Sequence, residues 1–299
     1  MSIFVLGEGM LELAAIEDGS ARVAYGGDAL NTAVHLARLG AAPQFVTALG
    51  DDPYSDCLAG KWRAEGVGLD HCLRIHGGKP GIYAISIGDD GERSFTYWRN
   101  DSAARAFFSH PMAESAIAAM MGASLLYLTG ITLSIFDVAH RERIFEIMDF
   151  VRSRGGEVAF DVNYRPKGWL RADDARSAIR SALERSSIAF SSVEDWALLF
   201  ETSDAEGIAT LVKKAAGGEV IVKDGVRGCF FAAGEDRGWV APKERCAPVD
   251  TTGAGDSFNA AYLAARIAGR SPQEACATGN SLAAKTIMHT GAIGARVAH

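Results

Sequence analysis

The sequence predicts an α/β fold in which a mainly parallel β-sheet is flanked by helices. Short apolar runs, of which residues 3–6 are the first, alternate with longer segments that have apolar residues at helical spacing. A strand covered by helices on both faces is apolar throughout, and parallel strands need crossover connections that are usually helical. Because 299 residues suffice for one large domain of this kind, we predict a single domain over residues 1–299.

Each predicted element rests on one of these two patterns. The stretch 29–39 shows the helical one, because Leu30, Ala33 and Val34 lie at helical spacing and a glycine follows it. Apolar runs predict strands at 3–6, 45–49, 124–128, 158–161, 187–190 and 219–223. Helices are predicted at 29–39, 54–65, 141–154, 172–184, 193–201, 208–215, 255–268 and 272–289.

Two segments, approximately 11–25 and 72–99, interrupt this alternation with short strand-like pieces. In the second, residues 81–87 and 93–98 are joined by the turn-forming sequence Asp-Asp-Gly-Glu at 89–92, which predicts a β-hairpin. Small insertions of this kind often close over ligands, so we predict a small β-sheet that acts as a lid. The alternative is a hairpin at the edge of the main sheet.

Composition and charge exclude several classes of protein. Hydrophobic residues make up 48% and charged residues 22%, which is typical of a globular rather than a disordered chain. The formal net charge is −7 without a basic stripe, so we expect no nucleic-acid partner. The longest apolar runs fall short of the roughly 18 residues of a membrane span, and we expect a cytoplasmic protein without a membrane partner. Five scattered cysteines predict reduced thiols.

Residues 249–262 contain the features of a phosphate-binding site. Gly253, Ala254 and Gly255 lead into a predicted helix whose first turn holds Asp256. Small residues let backbone N–H groups approach an anion, and a helix start carries roughly half a positive charge. Asp256 is placed to accept a proton from an attacking hydroxyl. The other common phosphate cradle, the P-loop sequence G-x-x-x-x-G-K-[ST], is absent.

Two motifs resemble signatures of the ribokinase (PfkB) family of carbohydrate kinases. Residues 250–258, D-T-T-G-A-G-D-S-F, are similar to the C-terminal signature, and residues 25–33, Y-G-G-D-A-L-N-T-A, to the N-terminal one. The resemblance implies a ribokinase-like fold, with ATP and Mg²⁺ as cofactors. It implies that Asp256 is the general base, assisted in phosphoryl transfer by Gly253, Ala254 and Gly255. Residues implied in nucleotide binding are Asn163, Arg165, Ser192, Lys223, Gly225, Gly228, Gly253, Gly255 and Asn280.

The sequence departs from the family pattern at residues 192–195. Many members have N-x-x-E there, linked to Mg²⁺ and phosphate placement, whereas this chain has S-V-E-D, so the metal ligands are not predicted. Ser192 is equally well explained as a helix N-cap. Without the resemblance, residues 223–228 predict a hairpin turn after a buried strand, and Asn280 is a polar residue on a helix.

A further resemblance concerns the sugar. Residues 81–83, 95–104, 128–131 and 161–166 are similar to segments of the 2-keto-3-deoxygluconate kinases of this family. An arginine fork binds a carboxylate through two parallel hydrogen bonds, and tyrosines pack against sugars. Arg99 is otherwise a solvated charge and Tyr83 a hairpin core residue. The substrate-binding residues predicted are Gly27, Asn31, Tyr83, Tyr97, Arg99, Ile131 and Arg165.

The predicted reaction is the ATP-dependent phosphorylation of 2-keto-3-deoxygluconate at its C6 hydroxyl. Alternatives are a fructokinase or another sugar kinase of the family, and a non-catalytic sugar sensor. A dinucleotide-binding oxidoreductase is disfavoured, because Glu12 stands where G-x-G-x-x-G needs its third glycine. We expect a homodimer or a higher homo-oligomer through the lid. The sequence does not discriminate between the gluconate and galactonate epimers or predict a monovalent cation.

Overall fold

Two β-sheets organise the part of the chain that the structure, a computed structural model, describes: residues 1–15, 20–87, 93–244 and 246–294. The strands are β1 (Ile3–Leu6), β2 (Met10–Ala15), β3 (Ala21–Gly26), β4 (Pro43–Gly50), β5 (Cys72–Ile75), β6 (Gly81–Ile87), β7 (Arg93–Trp98), β8 (Leu125–Thr129), β9 (Glu157–Asp161), β10 (Ile188–Ser192), β11 (Glu219–Lys223), β12 (Cys229–Ala233) and β13 (Asp236–Val240). The α-helices are α1 (Asp28–Arg38), α2 (Pro53–Ala64), α3 (Ala113–Met121), α4 (Gly130–Ser134), α5 (Val138–Ser153), α6 (Ala172–Glu184), α7 (Val193–Phe200), α8 (Ala205–Ala216), α9 (Ala254–Ile267) and α10 (Pro272–Thr286).

The large sheet has nine strands in the order β13-β12-β11-β10-β9-β8-β1-β4-β5. From β11 to β5 all neighbours are parallel, whereas β12 and β13 extend one edge as an antiparallel hairpin. The predicted, mainly parallel sheet is therefore confirmed. Every strand predicted for it is present, with ends within two residues of the prediction, while β5, β12 and β13 were not predicted.

Helices cover both faces of this sheet and enclose two apolar cores. On one face α1, α2, α9 and α10 pack around a core that includes Trp62 and Phe258. On the other, α3 to α8 surround a core that includes Met148 and Ile179. Burial on both faces explains why the central strands are apolar throughout. The predicted helices are present, whereas α3 and α4 were missed. None of the helices in the described ranges is both long and apolar enough to span a bilayer.

The small sheet is separate and has the order β3-β2-β6-β7. In it β2 is antiparallel to β3 but parallel to β6, and β6 and β7 form the predicted hairpin. The predicted turn at 89–92 lies outside the described residues. The predicted lid segment 72–99 begins too early, because residues 72–75 form β5, which pairs with β4 in the large sheet.

Two of the connections between the sheets, at Glu8 and at Gly27, touch each other. Gly27 has a φ of +140°, and a Cβ there would lie 2.3 Å from the carbonyl oxygen of Glu8. Its own carbonyl accepts from the Asn31 amide at 2.7 Å and so begins α1. A glycine at this position therefore sets the start of α1 against the connection to the small sheet.

Gly27→Ala is expected to lower the free energy of unfolding by about 3 kcal/mol, since backbone strain adds to a steric clash. Gly40→Ala is the matched control: Gly40 also has a positive φ, +87°, but nothing lies within 4 Å of an added Cβ. It should cost only about 1–2 kcal/mol. Urea denaturation measures both, and equal losses would contradict a tight contact between Gly27 and Glu8.

Candidate active site

The carboxyl ends of the parallel strands meet the start of α9 at one edge of the large sheet. There β8 ends at Thr129, β9 at Asp161 and β11 at Lys223. Ligands of open α/β sheets bind beyond this edge. The small sheet reaches the same region, because β3 ends at Gly26, just before α1, and a Cβ on Gly26 would lie 2.2 Å from the Tyr83 hydroxyl on β6.

Asp256 is the carboxylate at the centre of this region. It lies buried in the first turn of α9, and its Oδ2 accepts from Asn31 Nδ2 of α1 at 2.8 Å. Burial, followed by the negative charge of Asp28, raises the pKa of Asp256 to about 7, and the hydrogen bond from Asn31 opposes this rise. A carboxylate that titrates near neutral pH is suited to accept a proton and release it again.

The start of α9 forms an uncapped anion cradle. Gly253, the N-cap residue, has a φ of +76°, and a Cβ there would lie 2.6 Å from Ala292 Cβ, so glycine is required. No side chain caps the helix, and no described residue accepts from the amides of Gly255 or Asp256. Unpaired amides at a helix start bind anions such as phosphate.

Lys223 lies beside this cradle. A Cβ on Gly255 would be 3.3 Å from Lys223 Nζ. The ammonium group pairs with Asp161 Oδ2 at 3.0 Å and donates to Asn259 Oδ1 at 3.1 Å. Asn259 in turn donates to Asp161 Oδ2 at 2.7 Å, which closes a buried triangle. The triangle holds the ammonium group of Lys223 next to the start of α9.

Asp28, at the start of α1, is a site residue that the sequence analysis missed. Its Oδ2 accepts from Thr129 Oγ1 at 2.6 Å and from Asn163 Nδ2 at 2.9 Å. Asn163 has a φ of +30°, a strained conformation for a residue other than glycine. Strained residues held by their surroundings cluster at functional sites. Asn163, which was predicted to bind nucleotide, thus points its side-chain amide towards Asp28.

Arg165 follows β9 and is held by Asp195. Its Nη1 lies 3.4 Å from Asp195 Oδ1, which also accepts from the Tyr164 amide at 3.0 Å. Ser192 Oγ accepts from the Asp195 amide, so the N-cap interpretation of Ser192 is confirmed. The departure from N-x-x-E therefore still provides a buried carboxylate, which holds the segment that contains Arg165.

Tyr83 and Tyr97 lie side by side on the small sheet. They are directly paired across β6 and β7, with ring centroids 6.1 Å apart. Burial raises the pKa of Tyr97, whereas the positive charges of Arg99 and Arg165 lower it and Asp28 raises it. The two predicted arginines therefore lie within electrostatic range of one tyrosine hydroxyl, although one follows the small sheet and the other the large sheet.

Two buried carboxylates contact the predicted sugar-binding residues Arg99 and Tyr83. Glu8 forms an ion pair with Arg99, and Glu12 accepts a hydrogen bond from the Tyr83 hydroxyl. Each glutamate is only 3% exposed. Neither was predicted as a site residue, and no local pattern marks them, because their burial depends on the packing of the small sheet.

The residues predicted on the nucleotide side also come together. Residues 224–228 connect β11 to β12, which confirms a hairpin turn there. A Cβ on Gly228 would lie 2.2 Å from the carbonyl oxygen of Val240, and Asn280 Nδ2 donates to the same oxygen at 2.8 Å. Gly225 has a φ of +48° in this turn. Ile131 lies apart from them, half-buried in α4 just after Thr129.

A signal for some missed residues was present in the sequence. Asp28 lies inside the Gly-Gly-Asp motif, and Asp161 is the last residue of an apolar strand, where a polar side chain points to a site. Asp195 belongs to the segment that departs from the family pattern. Its hydrogen bond to the Tyr164 amide could not be read from spacing.

An uncapped helix start beside a buried carboxylate defines a site for phosphoryl transfer. The sequence matches the pfkB family of carbohydrate kinases over residues 2–297, and the chain belongs to that family. The family predicted from the two motifs is thereby confirmed.

Named relatives resemble the chain over nearly its whole length. It is 36% identical to the 2-dehydro-3-deoxygluconokinase of Dickeya dadantii, over 98% of this chain and 96% of that protein. Identity is 29% to a fructokinase of Escherichia coli, over 87% of this chain and 83% of that one. The crystal structure of a PfkB protein from Polaromonas sp. JS666 superposes with a TM-score of 0.86 at 26% identity, covering 98% and 97% of the two chains. These likenesses confirm the ribokinase-like fold.

The raised pKa of Asp256 predicts that kcat/KM rises with pH up to about 7, because only the deprotonated carboxylate accepts a proton. Asp28→Asn removes a charge that raises this pKa, so the acid limb should move to lower pH by on the order of 1 unit. Asp149→Asn, a surface change on α5, should leave the limb in place. An unmoved limb in Asp28→Asn would contradict the electrostatic link between Asp28 and Asp256.

Proposed function

We propose that the protein transfers a phosphoryl group from ATP to the C6 hydroxyl of 2-keto-3-deoxygluconate, which is also called 2-dehydro-3-deoxygluconate. The observation that carries this proposal is the position of Arg99, whose guanidinium carbon lies 6.0 Å from the centre of the Tyr97 ring, and the positive charge of Arg165 also lowers the pKa of the Tyr97 hydroxyl. Guanidinium groups complement a substrate carboxylate, which a neutral sugar lacks. The names of two relatives, from Dickeya dadantii and Escherichia coli K12 at 36% and 35% identity, support the same substrate.

The proposed chemistry divides between α1 and α9. Asp256 accepts the proton of the attacking hydroxyl, and Asn31 holds the carboxylate in position. The free amides of Gly255 and Asp256 stabilise the charge that develops on the transferred phosphoryl group. Lys223 adds a positive charge beside them.

Sugar binding is assigned to residues around the cleft between the sheets. Tyr83 and Tyr97 pack against the sugar, and Gly27 and Asn31 approach it from the start of α1. Arg99 and Arg165 bind the carboxylate from two sides. Because these groups come from both sheets, the sugar is enclosed only when the small sheet lies over the large one.

ATP is assigned to the turn 224–228 and to Asn280, next to the cradle. Family membership supports this donor, as do two solved relatives of the same fold. They are a fructokinase of Xylella fastidiosa with bound ATP (TM-score 0.82, 22% identity) and a ribokinase II of Escherichia coli in complex with ATP and Mg²⁺ (TM-score 0.83, 22% identity).

Mg²⁺ fits this arrangement without a site built entirely from protein ligands. Within the described ranges no group of three or more His, Cys, Asp or Glu side chains is placed to hold a metal. In kinases Mg²⁺ binds mainly to phosphates and one or two carboxylates, and it neutralises phosphate charge. Asp161 would supply such a carboxylate, because its Oδ1 is buried without a hydrogen-bond partner.

The first test is ATP consumption with 2-keto-3-deoxygluconate, its galactonate epimer, fructose and ribose. We expect kcat/KM for a keto-deoxy acid to exceed that for fructose by about 100-fold or more, since a neutral sugar gives the two guanidinium groups no carboxylate partner. A fructokinase is the second candidate, favoured by the 29% identity to the Escherichia coli fructokinase. A preference for fructose would support it and reject the carboxylate site.

Asp256→Asn tests the general base. The substitution keeps the shape of the side chain but cannot accept the proton, so kcat should fall by about 10²–10⁴-fold while KM for the sugar changes little. Asp149→Asn serves again as the distant control. Retention of most of the turnover by Asp256→Asn would reject Asp256 as the base.

A further inference from the structure

Glu8 lies at the boundary between the two sheets, in the segment that joins β1 to β2. Its side chain is 2% exposed, and neither of its carboxylate oxygens is accessible to solvent. Nε and Nη2 of Arg99 are also buried, and Nη2 is in ion-pair contact with Glu8 Oε2. A charge at this depth is strongly unfavourable without a partner, so each group requires the other.

The position of Glu8 is fixed by its neighbours. Gly81 on β6 provides the space for the carboxylate, because a Cβ there would lie 2.6 Å from Glu8 Oε1. The backbone of Glu8 is in contact with Gly27 on the other side. These contacts restrict the Glu8 carboxylate to one position. Its ion pair therefore also fixes the position of the Arg99 guanidinium group.

The ion pair leaves one edge of Arg99 for a ligand. Nε and Nη2 are both inaccessible to solvent and Nη2 contacts Glu8, so Nη1 is the nitrogen left accessible on a side chain that is 16% exposed. Arginine carries five N–H donors in a rigid fork, and one carboxylate uses only part of them. The guanidinium carbon is 6.0 Å from the centre of the Tyr97 ring, on the side of the small sheet assigned to the sugar.

We propose that Glu8 is a positioning residue that determines specificity for a carboxylate substrate, by fixing Arg99 with its free edge towards the acid group of the sugar. This inference rests on the proposed function, because it assigns that edge to the substrate carboxylate. Glu8 also cancels the charge of Arg99. The guanidinium then selects an acid by the direction of its N–H groups rather than by excess positive charge.

The test is a double-mutant cycle with wild type, Glu8→Gln, Arg99→Met and the double variant. Glu8→Gln keeps the size of the side chain and removes its charge. We expect it to raise KM for 2-keto-3-deoxygluconate about tenfold, with kcat and KM for ATP within about twofold of wild type. In the Arg99→Met background the same change should alter KM by less than about twofold, because its effect passes through Arg99.

Melting temperatures of the same four proteins report the ion pair independently of any substrate. Arg99→Met leaves Glu8 buried without its cation and should melt below wild type, and adding Glu8→Gln should restore part of the loss. Glu219→Gln is the matched control. Glu219 pairs with Arg266 at 2.5 Å and accepts from Tyr262 at the opposite end of β11 from the site. Its loss should lower stability without changing KM for the acid.

The outcomes separate the two proposals. Additive effects of Glu8→Gln and Arg99→Met on KM, an unchanged KM, or a lower KM in Glu8→Gln would overturn the role of Glu8 and leave the proposed function intact. An equal rise in KM for the acid and for fructose would overturn its role in specificity. A wild-type preference for fructose would reject the proposed function, and the assignment of Glu8 to specificity with it.

Discussion

The hydrogen bond between Asn31 and Asp256 joins two helix starts that come from distant parts of the chain. It brings α1 and α9 together at the edge of the large sheet, so that Gly27 and Asp28 on one side face the glycine cradle on the other. The same packing excludes water from Asp256, which raises its pKa. The packing that assembles the site is therefore also the largest cause of the raised pKa of Asp256.

The carboxylates at this edge of the large sheet fall into two groups, those paired with a cation and those that accept hydrogen bonds from neutral side chains. Asp161 is matched by Lys223, Asp195 by Arg165 and Glu8 by Arg99. Such pairs offset the cost of burying the carboxylates and hold the cations in fixed positions. Asp256 is held by an amide instead, and Asp28 by a hydroxyl and an amide. Burial and the negative charge of Asp28 raise the pKa of Asp256 to about 7, so Asp256 can exchange a proton near neutral pH.

The two sheets contribute different parts of the site. The large sheet and α9 provide the cradle, Asp256 and Lys223, which are suited to phosphoryl transfer to any hydroxyl. The small sheet provides Tyr83, Tyr97 and Arg99, which are suited to distinguishing one sugar from another. Their connection at Glu8 and Gly27 links the two parts.

The sequence by itself determined the parallel sheet, most helices and the cradle with Asp256, because each is a local pattern. Apolar runs indicate strands that are buried on both faces of the sheet. The glycines before Asp256 indicate a backbone that can approach an anion closely. Only the tertiary structure decided that β5 belongs to the large sheet, that Asn163 turns to Asp28, and that Glu8 lies beneath Arg99. These features depend on which strands become neighbours. A side chain acquires its partner and its burial from strand order, which no local spacing encodes.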